Sequence, residues 1–370
     1  MRILHTESSL AWGGQELRIL TEAAGLRRRG HDVRVASPRE AAIFTEAERF
    51  DVPVVALPIG RKGPLGVVAL RRALSGERID VVNSHSSTDT WLAALACRAF
   101  WLGHRRPPAL VRTRHISARV PTDTATHWLY TRASAEIVTT GEAIRQQLIR
   151  AHGVSPARVT SIPTGVDLDR FVAGDKAAAR NALDLPIGVP LIGIVATLRS
   201  WKGHRYLLEA MPLLTHRDAR LVIVGDGPQG DAIRAQVAAL GLGDRVRLAG
   251  NQHDVVPWLQ ALDVFALPSY ANEGVPQGLA QAMAVGVPCV TTDAGSIGEI
   301  AINDATALIV AKQNAIALAA GIDRLLDDTG LAARLTWSAR DRVHAKFGIR
   351  TMLDGMEVVF RRAADANRYR

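Results

Sequence analysis

Short apolar runs alternate with longer segments of helical periodicity along most of the chain. Helical spacing of apolar residues predicts helices at Gln15–Arg29 and Thr88–Phe100, among others. Strands separated by helices favour a parallel sheet that is covered on both faces. The apolar runs of the first half predict these strands: Arg2–His5, Asp32–Ala36, Val52–Leu57, Asp80–Asn83, Ala109–Arg112, Ile137–Thr140 and Val159–Ile162.

The regular pattern lapses at Pro163–Asp175, where turn residues indicate a linker. We therefore predict an α/β fold with two doubly wound, Rossmann-like domains, at residues 1–170 and 171–350, which face a central cleft. The last helix, residues 351–370, carries apolar side chains at helical spacing and is a candidate to pack back on the first domain. The strands predicted for the second domain are Leu191–Ala196, Leu221–Val224, Val246–Ala249, Val264–Leu267, Pro288–Thr291 and Ala307–Val310.

Length and composition agree with a two-domain protein of a reducing compartment. A chain of 370 residues is too long for one ordinary core. Cys97 and Cys289 lie far apart in apolar runs, which indicates buried thiols and neither a disulfide framework nor a zinc site. The N-terminus enters a strand directly, and the apolar stretch Trp91–Gly103 is interrupted by Arg98 and is too short to span a bilayer. We expect a cytoplasmic protein.

The net charge of +9 and the sequence pI near 10.2 indicate an anionic partner or a solvated basic surface. Nucleic acid ranks last as a partner, because the chain has no zinc-finger spacing and only 5% aromatic residues. An anionic membrane face and an acidic substrate both remain open. The basic clusters are Arg27–Arg29, Arg105–Arg106, Arg112 with Arg114 and Arg119, and Arg361–Arg362.

Two segments of the first half place polar groups after predicted strands. Ala11–Glu16 carries Gly13 and Gly14 between the first strand and the first helix, where backbone N–H groups can approach a ligand. A plain tight turn explains the same glycines. His85 and His115 both follow strand ends, which project toward the cleft in a doubly wound sheet. We predict that His115 contacts sugar or phosphate, and we leave His85 open.

Two segments of the second half combine charge with a helix N-terminus. Arg199 and Lys202 lie three residues apart in a loop that enters a helix, so both can reach one diphosphate. Glu273 lies in a Gly/Pro loop between a buried strand and a helix that begins near Gln277. The unpaired N–H groups of such a helix attract an anion. A carboxylate for hydroxyls beside a cradle for phosphate suggests a sugar nucleotide.

Gly225–Gly230 fits the dinucleotide pattern Gly-x-Gly-x-x-Gly after a predicted strand, and Asp244 follows about twenty residues later. An NAD oxidoreductase stays open as a low-ranked alternative, because Asp244 precedes its strand, whereas the acid of a dinucleotide site ends one. No Asp-x-Asp pair lies at a strand end in an apolar context. The electrophilic help is therefore expected from cationic side chains and helix dipoles, without a metal or another cofactor.

Four segments in this order resemble the two-domain (GT-B) retaining glycosyltransferases of glycosyltransferase family 4. They are GGQE near the N-terminus, TLRSWKG, VGDGP and EGVPQGLAQAMAVGVPCVTTDAGSIGE. PTGVD is similar to the family's linker motif, with Thr164 in place of an asparagine. The resemblance spans nearly the whole chain, and its motifs are jointly specific although each is weak by itself.

The resemblance implies a role for each matching position. Glu273 would be the first acid of the Glu-x7-Glu motif and contact the hydroxyls of the donor sugar. Arg199 and Lys202 would hold the diphosphate, and Gly14 would approach it from the first domain. His115 would assist near the reacting sugar, and cleft closure would bring the two sets of residues together. The remaining donor contacts would come from Gly13, Gly225, Gly274, Gly278 and Leu279.

Gln281 is the departure from the family pattern, because it replaces the second acid of the motif. In relatives that carboxylate accepts hydrogen bonds from the ribose hydroxyls. Gln281 keeps one acceptor and adds two donors, so contact with ribose remains feasible. The loss of one charged hydrogen bond is expected to cost on the order of 1–2 kcal/mol of donor binding. We expect an active enzyme with relaxed nucleotide preference.

The sequence thus predicts a retaining, metal-independent transferase that moves a hexose-type sugar from a UDP- or GDP-type donor to an acceptor hydroxyl. The acceptor is expected to be a glycan of the cell envelope, such as a lipid-linked or lipopolysaccharide acceptor at the inner face of the membrane. Two alternatives of similar fold stay open: a sugar-nucleotide 2-epimerase and a non-catalytic nucleotide-sugar-binding protein.

Overall fold

The structure is a computed structural model that describes residues 1–76, 78–100 and 106–368. Arg105, residues 101–103 of the apolar stretch and residues 369–370 of the predicted last helix lie outside the described residues. The chain divides into two compact units. The first unit contains Met1–Gly165 and the chain from Ile349 onward, and the second contains Val166–Gly348. The assignment of the acceptor to one domain and the donor to the other stays a prediction.

The first unit is a parallel seven-stranded sheet in the order β3-β2-β1-β4-β5-β6-β7. Because the chain leaves β1 toward β2 on one side and reaches β4 on the other, the strand order reverses between β1 and β4. The strands are β1 (Arg2–Thr6), β2 (Asp32–Ser37), β3 (Val54–Ala56), β4 (Val81–Ser84), β5 (Ala109–Arg114), β6 (Glu136–Thr139) and β7 (Val159–Ser161). The helices before the second unit are α1 (Gly14–Arg28), α2 (Ala42–Glu46), α3 (Pro64–Gly76), α4 (Ser87–Arg98), α5 (Thr124–Trp128) and α6 (Glu142–His152).

The second unit is a parallel six-stranded sheet in the order β10-β9-β8-β11-β12-β13, with the reversal between β8 and β11. Its strands are β8 (Leu191–Val195), β9 (Arg220–Val224), β10 (Val246–Gly250), β11 (Val264–Leu267), β12 (Cys289–Thr291) and β13 (Leu308–Ile309). Its helices are α7 (Lys176–Ala182), α8 (His204–Ala210), α9 (Gly230–Ala239), α10 (Val256–Gln260), α11 (Gln277–Val285), α12 (Ala315–Asp327) and α13 (Thr329–Lys346). Both sheets confirm the predicted fold class.

The final helix, α14 (Ile349–Arg368), completes the core of the first unit. Its buried face packs with side chains of β1, β2 and α1 in one apolar cluster. A Cβ at Gly25 of α1 would lie 2.5 Å from Leu353 Cδ1, so the two helices cross closely there. The apolar residues that this helix contributes are Met352, Leu353, Met356, Val359, Phe360, Ala363 and Ala364. No helix within the described ranges is long and apolar enough to cross a membrane.

Candidate functional site

The predicted donor residues of the second unit follow two adjacent strands. Arg199 and Lys202 lie in the loop after β8, and Glu273 lies in the loop after β11. Because the strand order reverses between these two strands, their loops run to opposite sides and leave a crevice at the carboxyl edge of the sheet. The sequence motifs of this unit therefore meet at its topological switch point.

Glu273 is buried and carries three polar contacts from neighbouring residues. The ammonium of Lys202 lies 2.8 Å from Oε1 and 2.9 Å from Oε2, so it bridges both carboxylate oxygens. The hydroxyl of Ser269 donates to Oε1 at 2.7 Å. Only 5% of the Glu273 side chain and 15% of the Lys202 side chain are exposed. The structure thus brings Glu273 and Lys202 together as an ion pair.

The backbone around Glu273 is held by the loop that follows β12. The carbonyl of Glu273 accepts a hydrogen bond from Ser296 N at 3.2 Å. Gly295 adopts a φ of +57°, and a Cβ there would lie 2.2 Å from the same carbonyl oxygen. Asn272, with a φ of 58°, turns the chain immediately before the acid. These contacts fix the direction of the carboxylate.

The N-terminus of α11 leaves its first amides open beside this carboxylate. Pro276 caps the helix in an extended conformation without a side-chain hydrogen bond, and the first helical bond runs from Ala280 N to Pro276 O at 3.1 Å. The amides of Gln277, Gly278 and Leu279 consequently have no partner within the helix. Such amides, together with the helix dipole, attract an anionic ligand.

Three glycines of the donor motifs lie so close to a backbone oxygen that a side chain would clash with it. A Cβ at Gly278 would lie 2.3 Å from Val195 O, which keeps the start of α11 against the end of β8. Gly225, at a φ of +140°, would meet Ala196 O at 2.1 Å, and Gly203, at a φ of +79°, would meet Pro268 O at 2.1 Å. These close approaches explain the glycines without a ligand, and the donor contacts of Gly225 and Gly278 stay predictions. Gly274 is buried in the same loop as Glu273.

Arg199 is half-buried, and its guanidinium lies 5.7 Å from the centre of the Trp201 ring. The two cations of the loop therefore have different neighbours, since Lys202 faces Glu273. Their joint action on a diphosphate stays a prediction. His204, the first residue of α8, is buried, and its burial, together with the nearby Lys202, lowers its pKa to about 3.

Gln281 is 5% exposed and lies one helical turn after Gln277 on the same face of α11. Within the described ranges, the buried Oε1 of Gln277 has no hydrogen-bond partner. This atom is therefore an open acceptor for a polar ligand at the start of the helix.

The predicted residues of the first unit also surround a switch point, between β1 and β4. Gly13 caps α1 with an extended backbone (φ −178°) and no side-chain hydrogen bond. The first helical bond runs from Leu17 N to Gly13 O at 3.0 Å, so the amides of Gly14, Gln15 and Glu16 start the helix without helical partners. The φ of Gly13 does not require glycine, which leaves the close-approach role of Gly13 and Gly14 a prediction.

Three histidines form a row across the ends of β1, β4 and β5. His5 Nδ1 lies 2.9 Å from His85 Nε2, and His85 Nδ1 lies 3.0 Å from His115 Nε2. His5 and His85 are buried, whereas His115 at the outer end is half-buried. Burial lowers the pKa of His5 to about 3 and holds the pKa values of His85 and His115 well below the ordinary value. The row is neutral at physiological pH.

The inner end of the row meets a buried acid. Glu22 Oε1 lies 4.0 Å from His5 Nε2, and Glu22 Oε2 lies 3.5 Å from Arg18 Nε. Burial raises the pKa of Glu22 to about 7, although Arg18 opposes that shift. The amide of Asn83 donates to Glu22 Oε1 at 3.3 Å and lies 3.5 Å from His5 Nδ1.

A second acidic group fixes the turn from β4 into α4. Asp89 accepts backbone hydrogen bonds from His85 N and Ser86 N, both at 2.9 Å. Burial and the neighbouring carboxylate of Glu7 raise the pKa of Asp89 to about 7. Glu7 in turn accepts hydrogen bonds from Ser9 N and Ser86 Oγ. These contacts hold His85 in its place within the row.

Several cations of the predicted basic clusters are paired with acids of the first unit. Arg29 lies 2.8 Å from Asp354, and Arg362 lies 2.5 Å from Glu136. Arg112 is buried. These pairs reduce the charge that the clusters present to a partner. Cys97 and Cys289 are free and buried, as predicted.

The sequence did not single out four polar residues that contact the predicted site residues. His5, Glu22 and Asn83 surround the inner part of the histidine row, and Ser269 binds Glu273. The signal for the first three was polarity inside otherwise apolar, buried elements. Among the described residues no group of three His, Cys, Asp or Glu side chains is placed to hold a metal ion.

Comparison with known proteins identifies the class. Residues 12–170 match the family model for Glycosyltransferase Family 4, and residues 175–342 match the model for Glycosyl transferases group 1. The two matched segments together span most of both units. The protein is a glycosyltransferase with the GT-B fold, and the chain belongs to glycosyltransferase family 4.

Individual relatives agree with this assignment. The D-inositol 3-phosphate glycosyltransferase of Xylanimonas cellulosilytica is 28% identical and aligns with 89% of this chain and 87% of its own. A structure of Anabaena Alr3699/HepE with UDP-glucose has a TM-score of 0.84 at 22% identity, covering 97% of this chain and 98% of that one. WaaG, a glycosyltransferase involved in lipopolysaccharide biosynthesis, has a TM-score of 0.73 at 15% identity, covering 96% and 99%.

Proposed function

We propose that this glycosyltransferase moves a hexose-type sugar from a nucleotide diphosphate to an acceptor hydroxyl, with retention of the anomeric configuration and without a metal. The observation that carries the proposal is the buried carboxylate of Glu273 beside the open amides of α11. A carboxylate accepts hydrogen bonds from sugar hydroxyls, and helix amides bind phosphate oxygens. Both groups lie at the switch point where doubly wound sheets bind ligands.

The charges of the second unit suit a departing diphosphate. As the bond between the anomeric carbon and the diphosphate oxygen breaks, negative charge grows on that oxygen. The amides of α11 and the ammonium of Lys202 are held in place before a ligand arrives, and together with Arg199 they would stabilise this charge. The acceptor oxygen bonds to the anomeric carbon on the same face, and its proton passes to the departing phosphate. The anomeric configuration is retained because the acceptor oxygen attacks from the same face of the sugar as the departing diphosphate.

For the donor we propose a UDP- or GDP-type sugar nucleotide. The UDP-glucose complex of the Anabaena protein supports the UDP form by similarity of fold. Gln281 and Gln277 would face the nucleoside, because both lie on one face at the start of α11 and Gln277 Oε1 is buried without a hydrogen-bond partner. A glutamine accepts from or donates to ribose and base alike, so we expect weaker nucleotide preference than a carboxylate at position 281 would give.

For the acceptor we propose a glycan of the cell envelope, by similarity to WaaG. A surface of α3 supports peripheral membrane contact from the cytoplasmic side: Leu65 is 77% exposed and Val68 is 45% exposed beside the exposed Arg61 and Lys62. Apolar side chains with flanking cations bind anionic lipid surfaces. Sedimentation with anionic vesicles tests this, and Leu65→Glu should reduce the bound fraction. Equal sedimentation of the variant would contradict the contact.

Thermal unfolding with UDP-, GDP- and ADP-sugars tests the donor. A ligand at about 100 times its Kd stabilises the folded state by about 2.7 kcal/mol, which gives a measurable shift. If no sugar nucleotide raises the unfolding temperature, the proposal is contradicted. NMR of the donor incubated with the enzyme alone separates the alternatives, because an epimerase converts it without an acceptor. A protein that binds donor but transfers to no acceptor would be a non-catalytic binder.

Turnover with an accepted acceptor then tests the reaction itself. The product should keep the anomeric configuration of the donor, as read from its proton coupling constant. Addition of EDTA should leave the rate unchanged. An inverted product, or loss of activity on chelation that returns with a divalent ion, would overturn the corresponding part of the proposal.

A further inference from the structure

The row of His5, His85 and His115 requires its protons to be ordered. Each of its two N···N contacts, at 2.9 Å and 3.0 Å, needs one protonated and one bare nitrogen. Because every ring is neutral, the choice at one ring determines the choice at the next. Only two arrangements are consistent. In one, the outward Nδ1 of His115 carries a proton, and in the other it carries a lone pair.

The polar groups around His5 distinguish the two arrangements. The amide of Asn83 is oriented by two contacts: its Oδ1 accepts from the hydroxyl of Thr113 at 2.8 Å, and its Nδ2 donates to Glu22 at 3.3 Å. An N–H donor thereby faces His5 Nδ1 at 3.5 Å, which favours a lone pair on that nitrogen. On the other side of the ring, the carboxylate of Glu22 faces His5 Nε2 at 4.0 Å and favours a proton there.

We propose that Glu22 and Asn83 are positioning residues that set the tautomer of His115 through His5 and His85. With the proton of His5 on Nε2, His85 donates from Nε2 to His5, and His115 donates from Nε2 to His85. The outward Nδ1 of His115 then carries a lone pair. His115 is therefore a hydrogen-bond acceptor for a hydroxyl and cannot donate to an anion from that atom. The identity of that hydroxyl, on donor sugar or acceptor, rests on the proposed function.

The charged groups around the row keep it neutral. Arg18 of α1 faces His5, and Arg112 and Arg114 of β5 lie near His115. Burial is the main cause of the low pKa values of the three histidines, and these cations lower them further, so none of the rings gains a proton near neutral pH. Phe360 of α14 closes the remaining side of His5 with its ring 6.3 Å away.

Glu22 is the group of the row that titrates near neutrality, because burial raises its pKa to about 7. Above pH 7 it is a carboxylate that faces His5 Nε2 at 4.0 Å, and its charge favours a proton on that nitrogen. Below pH 7 its carboxyl group gains a proton and can donate to the same nitrogen, which favours the opposite arrangement along the whole row. Acidification from pH 8 to pH 6 should therefore populate the form of His115 with a proton on Nδ1.

NMR of the full chain labelled with ¹⁵N-histidine measures the tautomer directly, with the His115 signals assigned from their loss in His115→Asn. At pH 8 we expect the proton of His115 on Nε2 and a bare Nδ1. The Nδ1–H form should appear at pH 6. A proton on Nδ1 at pH 8, or an unchanged tautomer at both pH values, would overturn the proposal. This measurement needs neither donor nor turnover, so it fails or succeeds independently of the proposed function.

Glu22→Gln tests the origin of the order, and Glu136→Gln is its matched control. Glu136 is also buried and paired with an arginine, Arg362, but it does not contact the histidines. Glu22→Gln should remove the dependence of the His115 tautomer on pH, and Glu136→Gln should leave it intact. Loss of the dependence in both variants, or in neither, would contradict the role of Glu22.

Kinetics test the consequence for the reaction. In Glu22→Gln at pH 8, kcat should fall by roughly tenfold while the donor KM changes by less than about twofold, since His115 would be misprotonated at an otherwise intact site. A general loss of structure would lower folded protein and leave kcat per folded molecule unchanged. A shifted tautomer with unchanged kcat would show that the order of protons has no part in transfer.

Discussion

Lys202 and Glu273 are bound to each other before a ligand arrives. The ammonium reaches both carboxylate oxygens, and little of either side chain touches water. Removing one partner from such a pair leaves the other charge poorly solvated, which costs more than the pair itself contributes. A sugar hydroxyl that binds Glu273 therefore meets an acid whose charge and direction are already set.

A double-mutant cycle with Lys202→Met and Glu273→Gln measures this coupling. We expect an interaction energy of about 1–3 kcal/mol in denaturant unfolding, because the two side chains are largely buried. The exposed pair of Arg205 and Glu209 on α8 is the control, at 2.7 Å and with 72% and 32% exposure. Its coupling should stay below about 0.5 kcal/mol. Equal couplings in the two cycles would mean that burial adds nothing to the Lys202–Glu273 pair.

Gln281→Glu tests the residue that departs from the family motif. A carboxylate at this position should tighten donor binding by roughly tenfold, since a charged hydrogen bond adds on the order of 1–2 kcal/mol over a neutral one. Isothermal titration with UDP- and GDP-sugars gives both affinity and preference. If neither changes, Gln281 does not face the nucleotide.

The sequence predicted Glu273, Lys202 and His115 as site residues because ligand sites of doubly wound sheets lie after strand ends. It did not show that Lys202 binds Glu273 or that His115 is the end of a row. Those contacts depend on which strands are neighbours and on side-chain directions, and residues far apart in sequence supply them.

At the scale of elements, α1 and α11 begin in the same way. The helix α1 follows β1, and α11 follows β11, a strand beside the switch point of its sheet in both cases. Neither helix has a side-chain cap: the N-cap residue is Gly13 in α1 and Pro276 in α11. Open amides at a helix start cost stability unless water or a ligand binds them. Because each helix starts at the switch point of its own sheet, each is a candidate to bind an anionic group.

Gly278→Ala tests how the start of α11 is placed. The added Cβ would lie 2.3 Å from Val195 O, and because a backbone atom cannot move aside cheaply, the helix start must shift. We expect about 1–3 kcal/mol of destabilisation by denaturant unfolding and weaker donor binding. Gly243→Ala, where a Cβ would meet nothing within 4 Å, is the control and should change neither. A stable Gly278→Ala variant with normal binding would contradict this view of α11.

The sequence predicted which segments form strands, but it predicted the first residues of some strands less well. All predicted strands are present in the sheets, but β3 begins at Val54 and β12 at Cys289, later than Val52 and Pro288. In both cases a proline, Pro53 or Pro288, precedes the strand and has no N–H to donate to the sheet. The pattern of apolar residues does not show that this hydrogen-bond donor is missing.

At the scale of the molecule, buried histidines in both units make stability depend on pH. The pKa values of His5 and His204 are lowered to about 3, and those of His85 and His115 are also well below the ordinary value. Below pH 6.5 the unfolded chain gains protons on these rings while the folded chain does not. Stability from these groups is therefore lost as the pH falls below 6.5.

Two carboxyl groups act in the opposite direction. The pKa values of Glu22 and Asp89 are raised to about 7, so the folded chain holds their protons between about pH 4.5 and 7, and stability from them is lost as the pH rises through 7. These histidines outnumber the two carboxyl groups. We therefore expect a net loss of stability as the pH falls from 6 to 5, measured by denaturant unfolding.

His204→Phe is the check on this balance. It removes one of the four histidines and should flatten the dependence by about 1.4 kcal/mol per pH unit. His253, which is exposed, provides the control as His253→Phe and should leave the slope unchanged. Stability that does not vary between pH 7 and 5 would contradict the balance described above.

The position of α14 in the core of the first unit determines the order in which the two units can fold during translation. The first unit is begun at Met1 but lacks the helix that fills its core until Ile349 onward has been made. The second unit is continuous in the chain and needs nothing that follows Gly348. During translation the second unit is therefore complete before the first unit has its last helix. The unit whose synthesis starts first is the last one able to fold. Expressed alone, residues 166–348 should unfold cooperatively and residues 1–165 should not, as judged by denaturant titration of each fragment.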